Sequence, residues 1–285
     1  MPTDNKRIAG PEDSISYRLF KETSNESVLS KINNLKNNIR SDGRKTNEQR
    51  KIFLKCGVVS QAKGSAYFEV DNTKLIVSVY DPREIPKKTD YSLKGELFCI
   101  FKYAPFSCPN RRGHQQDAEE KQHSAIMKRA LESAVCRHEF PNFQVDVYVL
   151  VLENDGSALS GAITAAGIAL AQAGIPMYDT ITSATLAIQG STKLLDPTLE
   201  EEALCTIATH KSDTETGYDS HGIIVLAILS THEQISEFYQ LGNLNLDTLN
   251  ESISILMNAT KEIVPLVEKC LVDYVNKTFK ANGQS

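Results

Sequence analysis

The sequence has no C-x-x-C pair, no apolar run of membrane-span length and no excess of positive charge, and each absence removes a class of protein. Its six cysteines, Cys56, Cys99, Cys108, Cys136, Cys205 and Cys270, are scattered, and several sit inside apolar runs. That usage predicts buried free thiols in a reducing compartment rather than a disulfide framework. A formal net charge of −5 argues against a polyanion binder driven by bulk charge and leaves only local basic patches for nucleic acid. The opening residues, MPTDNKRIAGPEDS, are charged and lack the apolar segment of a secretory signal. With nothing later long enough to span a bilayer, the expectation is a soluble, intracellular protein without a membrane partner. The six histidines show no metal-ligand spacing, and Ser157 and Ser160 have no His–Asp partners close in sequence. Gly156-x-x-x-x-Gly161 lacks the Lys-Ser/Thr of a phosphate loop. No metal and no cofactor is expected.

What is present is 285 residues with 41% hydrophobic content, enough for one large domain or two fused lobes. Residues 1–39 are polar, rich in Lys, Asn and Ser, and read as an arm ordered only by a partner. Strands are predicted at Cys56–Gln61, Ser65–Val70, Lys74–Tyr80 and Gly95–Phe106, with a hairpin turn at Asp71-Asn72-Thr73. Apolar residues at helical spacing, Ile126, Met127, Ala130, Leu131, Ala134 and Val135, predict a helix over Ala118–Cys136. Further strands are predicted at Ser183–Ile188, Ala203–His210 and Gly222–Ser230. A long amphipathic helix should close the chain from Leu246 to Phe279, with Pro265 inside it. With no low-complexity linker in view, the expected division is an arm (1–39) and two lobes sharing one interface (40–177 and 178–285).

The most informative stretch is Phe143–Met177, FQVDVYVLVLENDGSALSGAITAAGIALAQAGIPM. Val145, Val147, Val149 and Val151 alternate with Tyr148, Leu150 and Leu152, which predicts a strand buried on both faces. An Asp155-Gly156 turn and a helix of small residues follow, and such a helix lets its backbone approach a neighbour closely. Strand, D-G turn and Ala-rich helix together resemble the core of the RNase PH superfamily of phosphorolytic ribonucleases. Other motifs fall in the same order. Arg40-Ser41-Asp42-Gly43-Arg44 with Glu48-x-Arg50 is similar to an R-x-D-G-R…E-x-R opening. Gly57–Ala66 is similar to the first hairpin, Asp81-Pro82-Arg83-Glu84 stands at a G-P-x-E turn, and Ala104-Pro105-Phe106 closes the next strand. The resemblance spans about residues 40–275. The opening residues, the Ser60–Tyr67 block and Leu195-Asp196-Pro197-Thr198 with Glu200, Glu201 and Glu202 resemble RNase PH-type subunits of the eukaryotic exosome ring.

The resemblance implies an α/β (α+β) fold of two βα lobes, with mixed sheets packed by helices and a long C-terminal helix. It also implies a phosphate site, and here the chain departs from the pattern. An Arg-Ser pair expected at the start of the helix after the fourth strand is replaced by Glu119 and Glu120. The arginine expected after the D-G turn is Leu159. An acidic residue expected in a later strand has no counterpart in Ala203–Ala208, and Glu200–Glu202 read as a solvated helix start. Asp155 is expected to cap the Ala-rich helix. No catalytic residue is therefore assigned. Arg83, Lys87, Lys88, Arg111 and Arg112 are the candidate RNA contacts. The function the resemblance implies is a non-catalytic exosome ring subunit in nucleus, nucleolus and cytoplasm. Its partners would be related ring subunits, RNA-binding cap subunits and single-stranded RNA. The alternatives are an active phosphate-dependent 3′-to-5′ exoribonuclease and a free-standing RNA-binding protein.

Overall fold

The computed structural model describes residues 28–36, 38, 40–85, 91–207 and 220–282. Its first sheet comprises β1 (Ile52–Cys56), β2 (Gly64–Val70), β3 (Thr73–Val79), a two-residue β4 (Arg83–Glu84), β5 (Glu96–Tyr103) and β6 (Phe143–Glu153). β1, β2, β3 and β6 pair antiparallel in that order, and β4 pairs with the start of β6. β5 runs parallel to β6, and a parallel pair needs a crossover. Here α2 (Ala118–Ala134) makes it, packing on β5 through Ile126, Met127, Ala130 and Leu131. The second sheet, wholly antiparallel, has the order β10 (Gln234–Asn243), β9 (His221–Leu229), β7 (Ile181–Gln189), β8 (Thr192–Leu195).

Between the two sheets lies α3 (Ala158–Ala173), touching β2 and β3 on one side and β7 and β9 on the other. All of its residues except Ala171 and Gln172 are buried. A helix enclosed by two sheets must be narrow, and its small side chains make it so. A Cβ on Gly64 of β2 would lie 2.1 Å from the Ala169 carbonyl oxygen, and one on Gly167 would lie 2.6 Å from Ile181 Cγ2. Ala165 is fully buried here, so Ala165→Leu should overpack the layer and cost about 1–3 kcal/mol. Urea unfolding checks this, and an unchanged midpoint would show slack in the layer.

The structure differs from the sequence-based expectation in several places. β6 is fully enclosed on one face, by Val145, Val147, Val149 and Val151, and only partly on the other, where Gln144 and Asp146 are buried but Leu150 is 41% exposed and Tyr148 is half-buried. Neighbouring Phe98 and Phe53 are 41% and 53% exposed, so this side of the sheet has no layer over it among the described residues. Residues 57–63 form a loop, and the strand pairing with β2 precedes them as β1. The N-terminal arm contains a helix, α1 (Val28–Lys36), whose Ile32 and Leu35 are buried; Leu35 packs with Ala187, Leu194 and Cys205. Residues 199–205 are a helix, α4, in place of the strand expected over Ala203–His210; positions 208–210 lie outside the described residues. The closing helix, α5, runs from Leu246 to Asn282 through Pro265, and among the described residues no helix is long and apolar enough to cross a membrane.

Candidate functional site

A cavity of about 290 Å³ opens where the C-terminal ends of β5 and β6 meet the start of α3. Parallel strand ends facing a helix start form a crevice of the kind that holds ligands in α/β sheets. Tyr103, Asn154, Ser157, Ala158 and Leu159 form its floor, and the first turns of α2 supply Glu119, Gln122 and His123. The second sheet contributes Ile223, Val225, Tyr239 and Leu241, and α4 contributes Leu199 and Glu202. Both sheets are therefore needed to close it.

The cation of this cavity is Arg112, whose guanidinium carbon sits 4.3 Å from the centre of the Tyr103 ring. It is held there by Glu119 Oε2 at 2.8 Å and by Asp117 at 3.7 Å. Burial works against the Arg112 charge, but the Glu119 carboxylate and the Cys108 sulfur together more than offset this and the pKa is raised. Glu120, expected to stand beside Glu119 in the site, points inward instead. It is buried and accepts the N–H groups of Tyr103 and Asp117, both at 2.8 Å, which ties the start of α2 to the end of β5. His123 packs edge-on to Phe101 with its Nδ1 buried and unpaired among the described residues, and burial lowers its pKa.

The D-G turn is shaped by close approach. Gly156 has φ +85, and a Cβ there would lie 2.4 Å from the Pro197 carbonyl oxygen. Ser157 follows at φ 55, and its N–H donates to Glu202 Oε1 at 2.7 Å. A helix N-terminus favours an anion, and at this one the protein's own carboxylate is in place. Asp155 does not cap α3: its carboxylate accepts Asn72 Nδ2 at 3.2 Å and lies 3.9 Å from Arg50. Leu159 is buried where a second arginine would have offered donors.

The three glutamates of α4 part company because successive helical residues point about 100° apart. Glu200 is exposed and lies 3.6 Å from Lys31. Glu201 is buried and makes a two-point ion pair with Arg40, Nε–Oε1 at 2.8 Å and Nη2–Oε2 at 2.6 Å. Glu202 lines the cavity. Burial pushes the Glu202 carboxyl up to about 7, against the Ser157 N–H and the Arg50 charge that favour ionisation. Reading all three as a solvated helix start is thus corrected. An acidic group does stand in the cavity, on the helix that replaces the expected strand.

The arginine motif before β1 serves this arrangement from behind. Arg50 is buried, bonds Asp196 at 2.7 and 2.8 Å, and donates to the Asp155 carbonyl at 2.9 Å. Burial alone would raise the Asp196 pKa, but the Arg50 partner brings it below the usual value. Arg40 also donates to the Leu195 and Asp196 carbonyls, at 3.0 and 3.1 Å. Residues 40–50 thus fasten the D-G turn to the segment between β8 and α4.

Of the candidate RNA contacts, Arg112 is in the cavity and Arg111 is exposed beside it. Arg83 pairs with Asp146 at 2.6 Å, next to the opposite end of β6, about 30 Å of strand from Asn154. Lys87 and Lys88 lie outside the described residues. Among the described residues, no group of three or more His, Cys, Asp or Glu side chains is placed to hold a metal ion.

Residues 48–176 match the model of the RNase PH family, described as "3' exoribonuclease family, domain 1". Over 81% of this chain and 84% of the relative, it is 34% identical to "Exosome complex component RRP41-like" of Arabidopsis thaliana. It is 36% identical to "Exosome complex component MTR3" of Homo sapiens over 71% of this chain and 75% of that one. The chain belongs to the RNase PH family of 3′ exoribonucleases, and these relatives are exosome components. Its fold is that of rice Rrp46, with a TM-score of 0.68, 22% identity and coverage of 81% of this chain and 100% of that one. An Archaeoglobus fulgidus structure titled as an exosome with RNA bound to the active site gives a TM-score of 0.69 at 22% identity, covering 84% of this chain and 95% of that one.

Proposed function

We propose that the protein is a non-catalytic subunit of an exosome ring. It would close the ring with related RNase PH-type subunits, meet RNA-binding cap subunits, and brace a channel through which single-stranded RNA reaches catalytic subunits elsewhere, in the nucleus, nucleolus and cytoplasm. The carrying observation is the state of the cavity. Phosphorolysis needs inorganic phosphate gripped by donors in line with the terminal phosphodiester. Here the cavity's arginine is bound to Glu119, the helix terminus is bound to Glu202, and the third position is Leu159. A phosphate dianion entering would meet two carboxylates. The uncovered apolar side of the first sheet, with Phe53, Phe98 and Leu150, supports a partner-bound life, since exposed apolar patches mark interaction surfaces. Arg83, Lys87, Lys88, Arg111 and Arg112 are the proposed RNA contacts.

One observation favours the enzymatic alternative. Glu202 is a carboxyl with a pKa near neutrality in a cavity, a property suited to a general acid. The assay that separates the readings follows nucleoside diphosphate release from single-stranded RNA, with inorganic phosphate and magnesium present. We expect none from the full chain, alone or assembled with partner ring subunits. Phosphate-dependent release that disappears in Glu202→Gln would overturn the proposal. The same assemblies should lose salt-dependent RNA retention when Arg83, Lys87, Lys88 and Arg111 are replaced by Ala. An unchanged salt slope would mark these as ordinary surface charges.

A further inference from the structure

Cys56, the last residue of β1, and Cys270, near the middle of α5, place their sulfurs 3.3 Å apart. β1 is an edge strand of the first sheet and α5 packs along it. The two thiols face a crevice of about 420 Å³, lined also by Lys55, Asp273, Tyr274 and Lys277. Both are free and only partly buried. We propose that this pair is a thiol–disulfide exchange site. It would react with small disulfides of the oxidised-glutathione class and end as an intramolecular bridge clamping the edge strand to the C-terminal helix.

The chemistry assigns the two sulfurs different parts. The hydrogen bond between the two sulfurs holds the Cys270 thiol down to about 7 and pushes that of Cys56 up, while burial opposes ionisation of both; Lys277 adds positive charge beside both. Asp273, also facing the crevice, opposes ionisation of Cys270. Cys270 is therefore the attacking thiolate. It attacks one sulfur of the small disulfide, the S–S bond breaks, one glutathione thiolate leaves, and a mixed disulfide forms on Cys270. Cys56 then loses its proton, its thiolate attacks Cys270 Sγ, and the second glutathione thiolate leaves. Two protein thiols are oxidised by two electrons, one small disulfide is reduced to two thiols, and the protons pass to the leaving thiolates. The sulfurs need to close by little more than 1 Å to reach the bonded distance of about 2.05 Å.

The other cysteines lack these features. Cys99 and Cys205 are buried, and burial pushes each up to about 12. Cys108 lies 3.6 Å from the Ser107 hydroxyl and 3.9 Å from the Asn154 amide, and among the described residues neither it nor Cys136 makes a sulfur–sulfur contact.

The test treats the reduced full-length protein with oxidised glutathione at neutral pH, traps free thiols by alkylation, and maps peptides without reduction. The expected product is a Cys56–Cys270 cross-linked peptide, with a melting temperature several degrees above that of the reduced protein and reversal by dithiothreitol. Cys56→Ser should stop at glutathione on Cys270, modified about tenfold faster than Cys136. Absence of the cross-linked peptide in the wild-type map would overturn the proposal, as would glutathione spread equally over Cys108, Cys136 and Cys270.

Discussion

Glu201→Ala should cost the protein about 3–5 kcal/mol of folding stability, a large share of what holds a domain of this kind together. The reason is the state in which it leaves Arg40. That guanidinium has no exposed side-chain surface and takes both oxygens of a carboxylate that is itself 2% exposed. Removing the carboxylate leaves a buried cation with the Leu195, Asp196 and Lys45 carbonyls and, 3.8 Å from its Nε, the more exposed Asp42 carboxylate, and a buried charge stripped of its two-point partner is the expensive outcome. Glu201 also accepts the Thr198 N–H at 2.9 Å, so the start of α4 loses a cap worth about 1 kcal/mol. The pair as a whole is a different matter. Replacing both partners at once, Arg40→Met with Glu201→Leu, should recover most of the loss, because desolvating the ions cancels much of their attraction. Urea midpoints at constant slope measure both variants. A single variant within about 1 kcal/mol of wild type would mean that water reaches Arg40 and that the motif is not a buried staple.

The division between what the sequence discloses and what it conceals follows range. β6 and α3 are written in local periodicity: alternating valines, then a run of small residues bounded by Gly156 and Gly174. Their extents are legible, as is most of α5. The burial of β6 is not, because apolar residues on both faces cannot tell a covered face from one awaiting a partner. α1 is hidden by polar composition; among its described side chains, Ile32 and Leu35 carry it into the core. β10 escapes the pattern because its ten residues mix Glu237 and Gln240 with Phe238 and Leu241 and carry a register shift between Ile235 and Glu237. The site is harder still. Glu200, Glu201 and Glu202 are chemically identical in the sequence, and only the position of Arg40, 161 residues from Glu201, and of the Ser157 N–H decides their separate environments. Arg112 reads as a loop cation. Nothing local announces that it lies against the Tyr103 ring.

Glu202→Gln should stabilise the protein near pH 8 by about 1–2 kcal/mol and by only about a few tenths near pH 5. The Glu202 carboxyl rises from 4.5 to about 7 on folding, chiefly through burial, with Arg50 on one side and Asp196 and Glu119 on the other. Because the folded pKa is the higher one, the folded chain binds more protons than the unfolded chain between these values. The contribution of this group is fully present below about 4.5 and is lost as pH rises through about 7. A shift of that size has a ceiling of about 3 kcal/mol, and the opening of the cavity to solvent reduces it. Glutamine keeps an oxygen for the Ser157 N–H and carries no charge at any pH, so in the variant this position adds no pH dependence across the window, while groups such as His123 titrate in both proteins. Asp196, whose pKa is lowered by Arg50, loses its contribution only at more acid pH and leaves the comparison clean. Urea unfolding of both proteins at pH 5 and pH 8 decides the matter. An equal loss at the two pH values would show that the ionised carboxylate is a net favourable cap for α3. A gain mostly confined to pH 8 would show that the chain carries a cost at this position. Where the cavity performs no chemistry, substitution here should raise stability and leave the RNA throughput of the assembled ring unaltered; where Glu202 is a working acid, the same substitution exchanges activity for stability.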